Sequence, residues 1–511
     1  MRKPLLSLAA VALATVACSG GSSPYSGGAG ARVAPQPPAH HQPTYPPDPG
    51  RPAATPYGGV TYQDPGVNPY VDPVEDGTST FGLDVDTASF TIAQRYAQDG
   101  RLPDPASVRV EEWVNAFEQG YPQPVEGTFG IVADGGPTPF LRPDELLLRV
   151  GLQARDVRDR ARQQASLTFV IDTSGSMGTG ARLEMVKDAL ARLVEGLRTD
   201  DRVAIVTFGS DAGILLEPTP ASEHRAIITA IDRLEPGGTT NLEAGLRLGY
   251  ELARSSLTED GIDRVVLASD GVANVGLTDP DGILESIQRD ASAGIELVSV
   301  GVGMGNYNDA LLERLADQGD GFYAYINDQG EARRLFTEDL TGTLQTVALD
   351  AKAQVEFNAA SVASYRLLGY ENRAIDDRDF TDDTVAAGAI GAGHTVTALY
   401  AVRLREDADP QDRLATVRVR WTDPDRGGAD EVSRTVRASD LSRSFGSTDP
   451  FFRFDAVVAA TAETLRGSPY RPDLRLGDIA ELASTEAEAL PPSDAVHGFL
   501  DLLDRLARIE P

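Results

Sequence analysis

The chain has 511 residues, of which 41% are hydrophobic and 24% are charged, and its formal net charge is −31. A chain of this length exceeds a single hydrophobic core, so two or three folded units are expected. The strong negative charge repels the phosphate backbone of nucleic acids, which argues against nucleic-acid binding and favours cations or basic proteins as partners.

The N-terminus has the layout of an export signal. A basic pair, Arg2 and Lys3, precedes an apolar run at residues 5–17 that is too short to span a membrane. The single cysteine, Cys18, follows this run directly, and its setting resembles the bacterial lipobox, which implies lipidation of Cys18. The alternative is a plain secretory signal that is cleaved near this point. Both interpretations make residues 1–18 a signal segment and predict an exported protein.

Residues 19–76 are rich in glycine, serine, proline and tyrosine and show no sustained apolar period, so we expect a disordered tether. Coil statistics give a segment of roughly 57 residues an r.m.s. span of ~40 Å, enough to hold a folded head away from lipid headgroups. Cys18 is followed by Ser19, not by the aspartate that resembles an inner-membrane retention signal. Anchoring in the outer membrane or at the cell surface is therefore favoured over the inner membrane.

Ordered elements are expected from residue 77 onward. In the N-terminal flank, residues 77–160, apolar patterns predict strands at 81–85, 127–133 and 145–152 and helices at 89–99 and 110–117. Residues 161–345 then alternate between the two types, with strands predicted at 167–171, 203–208, 265–268, 295–302 and 322–326 and helices at 183–197, 227–234, 242–252, 280–291, 309–317 and 331–340. Such alternation predicts an α/β domain with a doubly wound, mainly parallel sheet.

Strands return in the C-terminal flank, residues 346–445, with predictions at 353–357, 365–368, 396–404 and 415–421. We expect them to pair with the strands of the N-terminal flank, which gives a β-rich, sandwich-like domain that the α/β domain interrupts. Helical periods at 454–465, 478–482 and 494–509 predict a small C-terminal helical element within residues 446–511. Its apolar positions suit packing on the sandwich.

The sequence that carries chemistry follows the first strand of the α/β domain. There Asp172, Ser174 and Ser176 are placed on the loop at the carboxyl end of the strand, where open α/β sheets bind their ligands. Carboxylate and hydroxyl oxygens suit a hard divalent cation such as Mg²⁺, because such an ion takes oxygen ligands and keeps part of its water.

This pattern resembles the metal-ion-dependent adhesion site of von Willebrand factor A (VWA) domains, which begins with Asp-x-Ser-x-Ser after the first strand. The resemblance implies a site formed by five residues: Asp172, Ser174, Ser176, Thr240 and Asp270. It further implies a bound divalent cation, Mg²⁺ first and Mn²⁺ or Ca²⁺ as alternatives, whose shell is completed by an Asp or Glu carboxylate of a partner protein. Thr240 fits the family's Thr-x-x-x-x-Gly spacing, with Gly245 as the glycine, while Thr239 remains the alternative ligand.

Short motifs of this kind also have purely structural roles. Asp-x-Ser-x-Ser alone is equally a capped helix start, but three motifs in the expected order favour the metal site. A similar stretch at residues 84–89 is interpreted as a strand end with a helix cap, and the glycines of residues 301–305 as a strand-ending turn beside the metal loops. The aspartates of residues 376–383 do not have the spacing of a calcium loop and are interpreted as a solvated acidic loop.

The flanks carry a second resemblance. Residues 80–117 and 363–404, and residues 365–373 in particular, resemble the segments beside the VWA domain in a bacterial family of VWA lipoproteins of largely uncharacterised role. No sequence motif of a hydrolase, metalloprotease or phosphate-binding loop is present, so binding is predicted instead of catalysis. The prediction is an adhesion-type envelope protein. The alternatives are an assembly factor that docks a client protein, and a purely structural protein whose metal site is dispensable.

Overall fold

The computed structural model describes residues 62, 64–157, 163–258, 261–271, 282–283, 294–306, 309–319, 321–326, 332, 335–336, 345–383, 385, 387–424 and 426–510. The predicted signal segment with Cys18 and most of the predicted tether lie outside these residues, as do large parts of the helices predicted at 280–291 and 331–340. Within the described ranges, no helix combines the length and the hydropathy that are needed to cross a membrane.

Fifteen strands are described, in chain order: β1 (Thr78–Gly82), β2 (Phe129–Gly136), β3 (Glu145–Ala154), β4 (Ala165–Asp172), β5 (Arg202–Phe208), β6 (Ala212–Pro220), β7 (Ile262–Gly271), β8 (Glu296–Asn306), β9 (Tyr323–Ile326), β10 (Thr346–Phe357), β11 (Val362–Leu368), β12 (Ala389–Gly391), β13 (Thr395–Leu404), β14 (Arg413–Thr422) and β15 (Ala429–Arg437).

The α-helices of the same ranges are α1 (Ala88–Gln98), α2 (Val110–Val114), α3 (Arg182–Gly196), α4 (His224–Asp232), α5 (Leu242–Ser255), α6 (Asp309–Gln318), α7 (Pro450–Leu465), α8 (Leu476–Ala487) and α9 (Asp494–Ile509). Short 3-10 turns connect several of these elements, among them Gly175–Ala181 and Asp377–Thr381.

The α/β domain contains a six-stranded sheet of order β6-β5-β4-β7-β8-β9, in which all neighbours are parallel except the antiparallel edge strand β6. Its central strand β4 is buried along its whole length, as a strand covered on both faces must be. Helix α3 packs into the core on one face and α5 into the core on the other. The predicted doubly wound, mainly parallel sheet is therefore confirmed.

Two antiparallel sheets form the flanking domain. One has the order β1-β10-β14-β15 with β12 beside β10, and the other has the order β11-β13-β3-β2. Their inner faces share one core, in which Phe81 and Val355 of the first sheet lie in one cluster with Leu148 and Tyr365 of the second. Strands from before the α/β domain pair with strands from after it, β1 with β10 and β3 with β13. The sandwich is thus interrupted by the α/β domain, as predicted.

The C-terminal helices α7, α8 and α9 share a further core with α1 and α2. Helix α1 is apolar on two sides: Phe90 and Ala93 lie in this helical core, while Ile92 and Tyr96 lie in the core between α5 and the six-stranded sheet. Helix α1 therefore joins the α/β domain to the helical element through hydrophobic contacts on both sides.

The prediction of a disordered tether up to residue 76 is wrong at its C-terminal end. The Val71 amide donates to the Tyr365 carbonyl at 2.8 Å, the Val71 carbonyl accepts the Tyr365 amide at 3.0 Å, and Asn68 Nδ2 donates to the Gly369 carbonyl at 2.7 Å. The ring of Tyr70 lies 5.2 Å from that of Tyr470. Polar and aromatic side chains hold this segment on the sandwich, so a lack of apolar periodicity does not mean disorder here.

Two further predictions are corrected by backbone structure. Strand β8 continues through the glycines of residues 301–305 instead of ending in a turn there, and Gly271 of β7 is the register partner of Asn306. In the stretch 84–89, Thr87 makes no side-chain cap hydrogen bond to α1. The amide of Ser89 instead donates to Oε2 of Glu112 at 2.8 Å, because a buried carboxylate from α2 satisfies this end of the helix.

Candidate metal centre

The loop after β4 begins with a fully buried aspartate whose two oxygens are both hydrogen-bonded. Oδ1 of Asp172 accepts the Ser174 amide at 2.7 Å, and Oδ2 accepts the hydroxyl of Ser269, from the end of β7, at 2.6 Å. Asp172 is 0% exposed. Neutral donors from two neighbouring strands therefore fix the carboxylate at the carboxyl edge of the sheet.

The hydroxyls of the same loop connect Asp172 to the second aspartate. Oγ of Ser174 lies 3.0 Å from Oγ of Ser176, and the Ser176 hydroxyl donates to Oδ1 of Asp270 at 2.8 Å. Asp270 is also 0% exposed. The structure thus brings together four of the five residues in the predicted site, Asp172, Ser174, Ser176 and Asp270, in one hydrogen-bonded cluster of oxygen atoms.

The loop that carries Thr240 lies against the β4 loop through backbone hydrogen bonds. The Gly237 amide donates to the Thr173 carbonyl at 2.6 Å, and the Gly175 amide donates to the Gly238 carbonyl at 3.1 Å. Thr240 is buried, whereas its neighbour Thr239 is exposed and donates its hydroxyl to Oγ of Ser210 at 3.2 Å. Burial beside the β4 loop favours Thr240 over Thr239 as the residue available to the cluster.

Helix α5 fixes the position of this loop by close packing on the sheet. A Cβ at Gly245 would lie 2.7 Å from the ring of Phe208, and a Cβ at Gly249 would lie 2.3 Å from Cγ2 of Val170. Only glycine permits this approach of the helix backbone to β5 and β4. The side chain of Asn241 caps the helix by accepting the Ala244 amide at 3.2 Å. The glycine of the predicted threonine motif therefore has a packing role.

The electrostatics of the cluster favour a cation. Burial raises the pKa of the Asp172 carboxyl, hydrogen bonds from Ser269 and Ser174 oppose that rise, and the negative charge of Asp270 adds to it. Two buried carboxylates in one cluster repel each other when both are ionised. A divalent cation would remove this repulsion and favour the ionised form of Asp172.

Sequence reasoning missed two side chains that bind the cluster: Ser269, whose hydroxyl donates to Asp172, and Arg182, the first residue of α3. Its guanidinium forms an ion pair with Oδ2 of Asp270, and its Nη1 donates to the Ser176 carbonyl at 3.3 Å. A basic residue at a helix N-terminus opposes the helix dipole, which is a signal that it has an acidic partner elsewhere. The sequence therefore holds a hint of this residue, but not the identity of its partner.

The donor set of the cluster fits a hard divalent cation. It consists of carboxylate and hydroxyl oxygens, the ligands that Mg²⁺ prefers, and it contains neither thiol nor imidazole. In the part of the chain that the structure describes, no group of three or more His, Cys, Asp and Glu side chains is arranged to hold a metal. The cluster has two carboxylates, so hydroxyls and water would have to supply the other ligands.

Two acidic motifs outside the cluster have structural partners. Arg373 pairs with Asp84 at 3.3 Å and with Asp86 at 2.6 Å, and Oδ1 of Asp86 accepts the Tyr323 amide at 2.9 Å. In the acidic loop, both Asp383 oxygens accept from Arg420. Asp84 and Asp86 therefore share Arg373, whereas Asp383 pairs with Arg420, so each of these carboxylates has a protein partner.

Family models match the chain in three consecutive parts. The von Willebrand factor type A domain model matches residues 166–338, a model described as von Willebrand factor matches residues 57–149, and a model of the C-terminal part of uncharacterized protein YfbK matches residues 342–509. Uncharacterized protein YfbK of Escherichia coli strain K12 is 36% identical over 472 residues, which cover 88% of this chain and 81% of YfbK. The chain belongs to the YfbK family of VWA-domain proteins. The predicted resemblance is confirmed for the VWA domain and for both flanks.

The other matches differ in how much of the chain they cover. Inter-alpha-trypsin inhibitor heavy chain H3 of Homo sapiens is 31% identical over 176 residues, which cover 33% of this chain and 19% of the heavy chain. A solved structure, von Willebrand factor type A from Catenulispora acidiphila, is 15% identical, with a TM-score of 0.45, and the match covers 76% of this chain and 98% of that one. The match to YfbK, unlike that to the heavy chain, therefore includes the flanks.

Proposed function

We propose that this YfbK-family protein binds a partner protein through a divalent cation held by its VWA domain, and that the cation captures an Asp or Glu carboxylate of that partner. The observation that carries the proposal is the oxygen cluster of Asp172, Ser174, Ser176 and Asp270 at the carboxyl edge of the six-stranded sheet, in which both aspartates are fully buried. Open α/β sheets bind ligands at this edge.

The residues that would hold the cation are those of the cluster and Thr240. When bound, the cation supplies a positive centre with a coordination position for an outside carboxylate. The hydroxyls of Ser174 and Ser176 are neutral ligands, so they leave part of the cation's charge uncompensated. The hydrogen bonds from Ser269 and from the Ser174 amide hold Asp172 in position. Mg²⁺ fits this oxygen set, and Mn²⁺ and Ca²⁺ are the alternatives.

Binding is proposed instead of catalysis because the serines of the cluster lack an imidazole base. Their hydroxyls interact with each other and with Asp270. The described histidines lie in α4, in the sandwich and in α9, and none lies in the loops that form the cluster. A nucleophilic serine needs a base within hydrogen-bond reach.

We further propose that the protein acts in the cell envelope, lipid-anchored through Cys18 at the outer membrane or the cell surface. The basic pair, the apolar run and the cysteine at the N-terminus support export and lipidation. The folded part begins no later than residue 64, so the span between Cys18 and the first described contacts is shorter than the sequence suggests.

Electron paramagnetic resonance of Mn²⁺ tests the site and its open position together. Mn²⁺ is titrated into the full chain, the Asp172→Asn variant and an Asp188→Asn control, whose side chain is 39% exposed on α3. We expect bound Mn²⁺ with wild type and control, little with Asp172→Asn, and a spectral change when a glutamate-containing peptide is added to the loaded protein. Equal Mn²⁺ binding by wild type and Asp172→Asn would refute the site, and an unchanged spectrum with the peptide would refute carboxylate capture.

A further inference from the structure

Arg182 occupies the oxygen of Asp270 that the hydroxyl of Ser176 leaves free. Its guanidinium pairs with Oδ2 of Asp270, while Oδ1 accepts the Ser176 hydroxyl. Nη1 of Arg182 also donates to the Ser176 carbonyl at 3.3 Å, and the Arg182 side chain is only 12% exposed. Both oxygens of Asp270 are therefore engaged by groups of the chain itself.

The backbone around Arg182 is shaped to admit this side chain. A Cβ at Gly303, on β8, would lie 2.5 Å from Nε of Arg182, so a larger residue there would displace the guanidinium. On the other side, Ala181 adopts a left-handed conformation with φ of 58°, directly after Gly180 at 64°. The left-handed region costs a residue with a Cβ about 1 to 2 kcal/mol, and such strain is found mostly at functional sites.

A positive charge at the first position of helix α3 is electrostatically unfavourable. Arg182 is the first residue of α3, where the helix dipole is positive and repels a cation. The ion pair with Asp270 offsets that repulsion. The strained turn and the space left by Gly303 therefore place a fixed positive charge beside the oxygen cluster despite the unfavourable helix position.

We propose that Arg182 is a built-in counter-ion that competes with the divalent cation for Asp270 and thereby sets the metal affinity of the site. The proposal rests on the proposed function. In the cluster, the carboxylate of Asp172 is hydrogen-bonded only by neutral donors, whereas the charge of Asp270 is already compensated by the guanidinium of Arg182. An entering cation must therefore compete with Arg182 for Asp270. The bound metal then keeps more of its charge than two free carboxylates would leave it, and this remaining charge attracts the partner's carboxylate.

Isothermal titration calorimetry of the full chain with Mg²⁺ and Mn²⁺ tests this inference. Arg182→Gln removes the competing charge, and Arg192→Gln is the matched control because Arg192 is an exposed arginine of the same helix, paired with Asp188. We expect Arg182→Gln to bind either ion at least about tenfold more tightly than wild type, which corresponds to about 1.4 kcal/mol. Arg182→Lys, which keeps the charge without the planar fork, is expected to show a smaller gain. The control should match wild type.

The outcomes separate this inference from the proposed function. Metal binding by wild type with equal or weaker binding by Arg182→Gln would overturn the role of Arg182 and leave the metal site standing. No binding by wild type or by any variant would overturn both. Thermal unfolding of each variant without metal checks that it is folded. If Arg182→Gln does not fold, Arg182→Met decides the matter, because it also removes the charge and binding no tighter than wild type would then contradict the competition.

Discussion

Two regions of the molecule hold buried carboxylates with different partners. At the interface of β3 and α7, Arg149 donates to Asp455 at 3.0 Å, to Asp134 at 2.7 Å and to Asp449 at 3.2 Å. There only Asp455 is fully buried, while Asp134 and Asp449 are 29% and 45% exposed. Water therefore compensates the charges that Arg149 does not.

The oxygen cluster of Asp172, Ser174, Ser176 and Asp270 differs in its charge balance. Asp172 and Asp270 are both fully buried, and among the hydrogen-bonding partners that the described residues supply to them there is a single guanidinium, on Asp270. The carboxylate of Asp172 is met by an amide and a hydroxyl, which carry no charge. Burial of ions alone therefore does not mark a functional site in this protein. The distinguishing feature is a cluster of two buried carboxylates that has only one cationic partner, Arg182, while neutral hydroxyl and amide groups supply the other hydrogen bonds.

The largest loss of stability is expected at Arg149, which forms an ion pair with the fully buried carboxylate of Asp455. Arg149→Met leaves Asp455 buried without its cation, so we expect the free energy of unfolding to fall by about 3 to 5 kcal/mol. Urea denaturation measures this change, with the exposed Arg192→Met as control. A loss below about 1 kcal/mol, the range of exposed pairs, would show that the two regions do not differ as described.

Packing beneath the oxygen cluster is expected to be less costly to disturb. Gly249→Ala places a Cβ 2.3 Å from Val170 of β4, and overpacking of this kind costs roughly 1 to 3 kcal/mol. Gly477→Ala is the matched control, because it lies in helix α8 with no atom within 4 Å of its Cβ. Thermal unfolding should show destabilisation of the first variant only. Equal melting temperatures would contradict the close approach of α5 to the sheet.

The buried carboxylate of Glu111, on α2, tests charge balance by pH. Burial raises the pKa of Glu111 from 4.5 to about 7, and the negative charges of Glu371 and Glu112 add to this rise. Oε2 of Glu111 has no hydrogen-bond partner in the described structure. The folded state binds the proton of Glu111 more tightly than the unfolded state does, so protonation of Glu111 stabilises the fold. This stabilisation is complete below pH 4.5 and is lost as the pH rises through about 7.

Glu111→Gln keeps a neutral group at this position, so stability should depend less on pH between 5 and 8. The difference from wild type is expected to be on the order of 1 to 3 kcal/mol at the upper end of that range. Urea denaturation at several pH values measures it. Parallel curves for the two proteins would contradict a raised pKa at Glu111.

The smallest effect is expected at the start of α5, next to Thr240. Asn241→Ala removes the side chain that caps this helix, which typically costs about 1 kcal/mol. Asn241→Asp retains the cap and should retain stability. Denaturant unfolding distinguishes the two, and an equal loss in both would assign another role to Asn241.

The elements that the sequence predicts well are those with a strong apolar pattern. Strand β4 is apolar and fully buried, and α3 has its leucines and valines at helical spacing, so the sheet, its order along the chain and the position of the Asp-x-Ser-x-Ser loop could be predicted. Strands β6 and β15 are not predicted. Both are edge strands in which at most one residue is buried, so neither has the sustained apolar pattern on which the prediction depends; β6 has only the short run Ile214–Leu216.

Partners that are distant in sequence could not be predicted from local pattern. Arg182 and Asp270 are 88 positions apart, and Arg373 and Asp86 are 287 positions apart. Which arginine meets which aspartate depends on tertiary packing, and a chain with 46 basic and 77 acidic residues offers many combinations. The ligands could be predicted because they belong to a motif with fixed spacing between its residues. Arg182 lies at the start of the next helix, outside that motif, so its spacing does not identify it.

Thermal unfolding of the full chain with and without Mg²⁺ tests the central claim most directly. An ion that binds only the folded state stabilises it by about 2.7 kcal/mol when its concentration is a hundredfold above the dissociation constant. We predict a rise in the melting temperature with Mg²⁺ for wild type and for the exposed Asp188→Asn control, and no rise for Asp172→Asn. No rise with Mg²⁺, Mn²⁺ or Ca²⁺ for wild type, or an equal rise for Asp172→Asn, would contradict a metal centre at the end of β4.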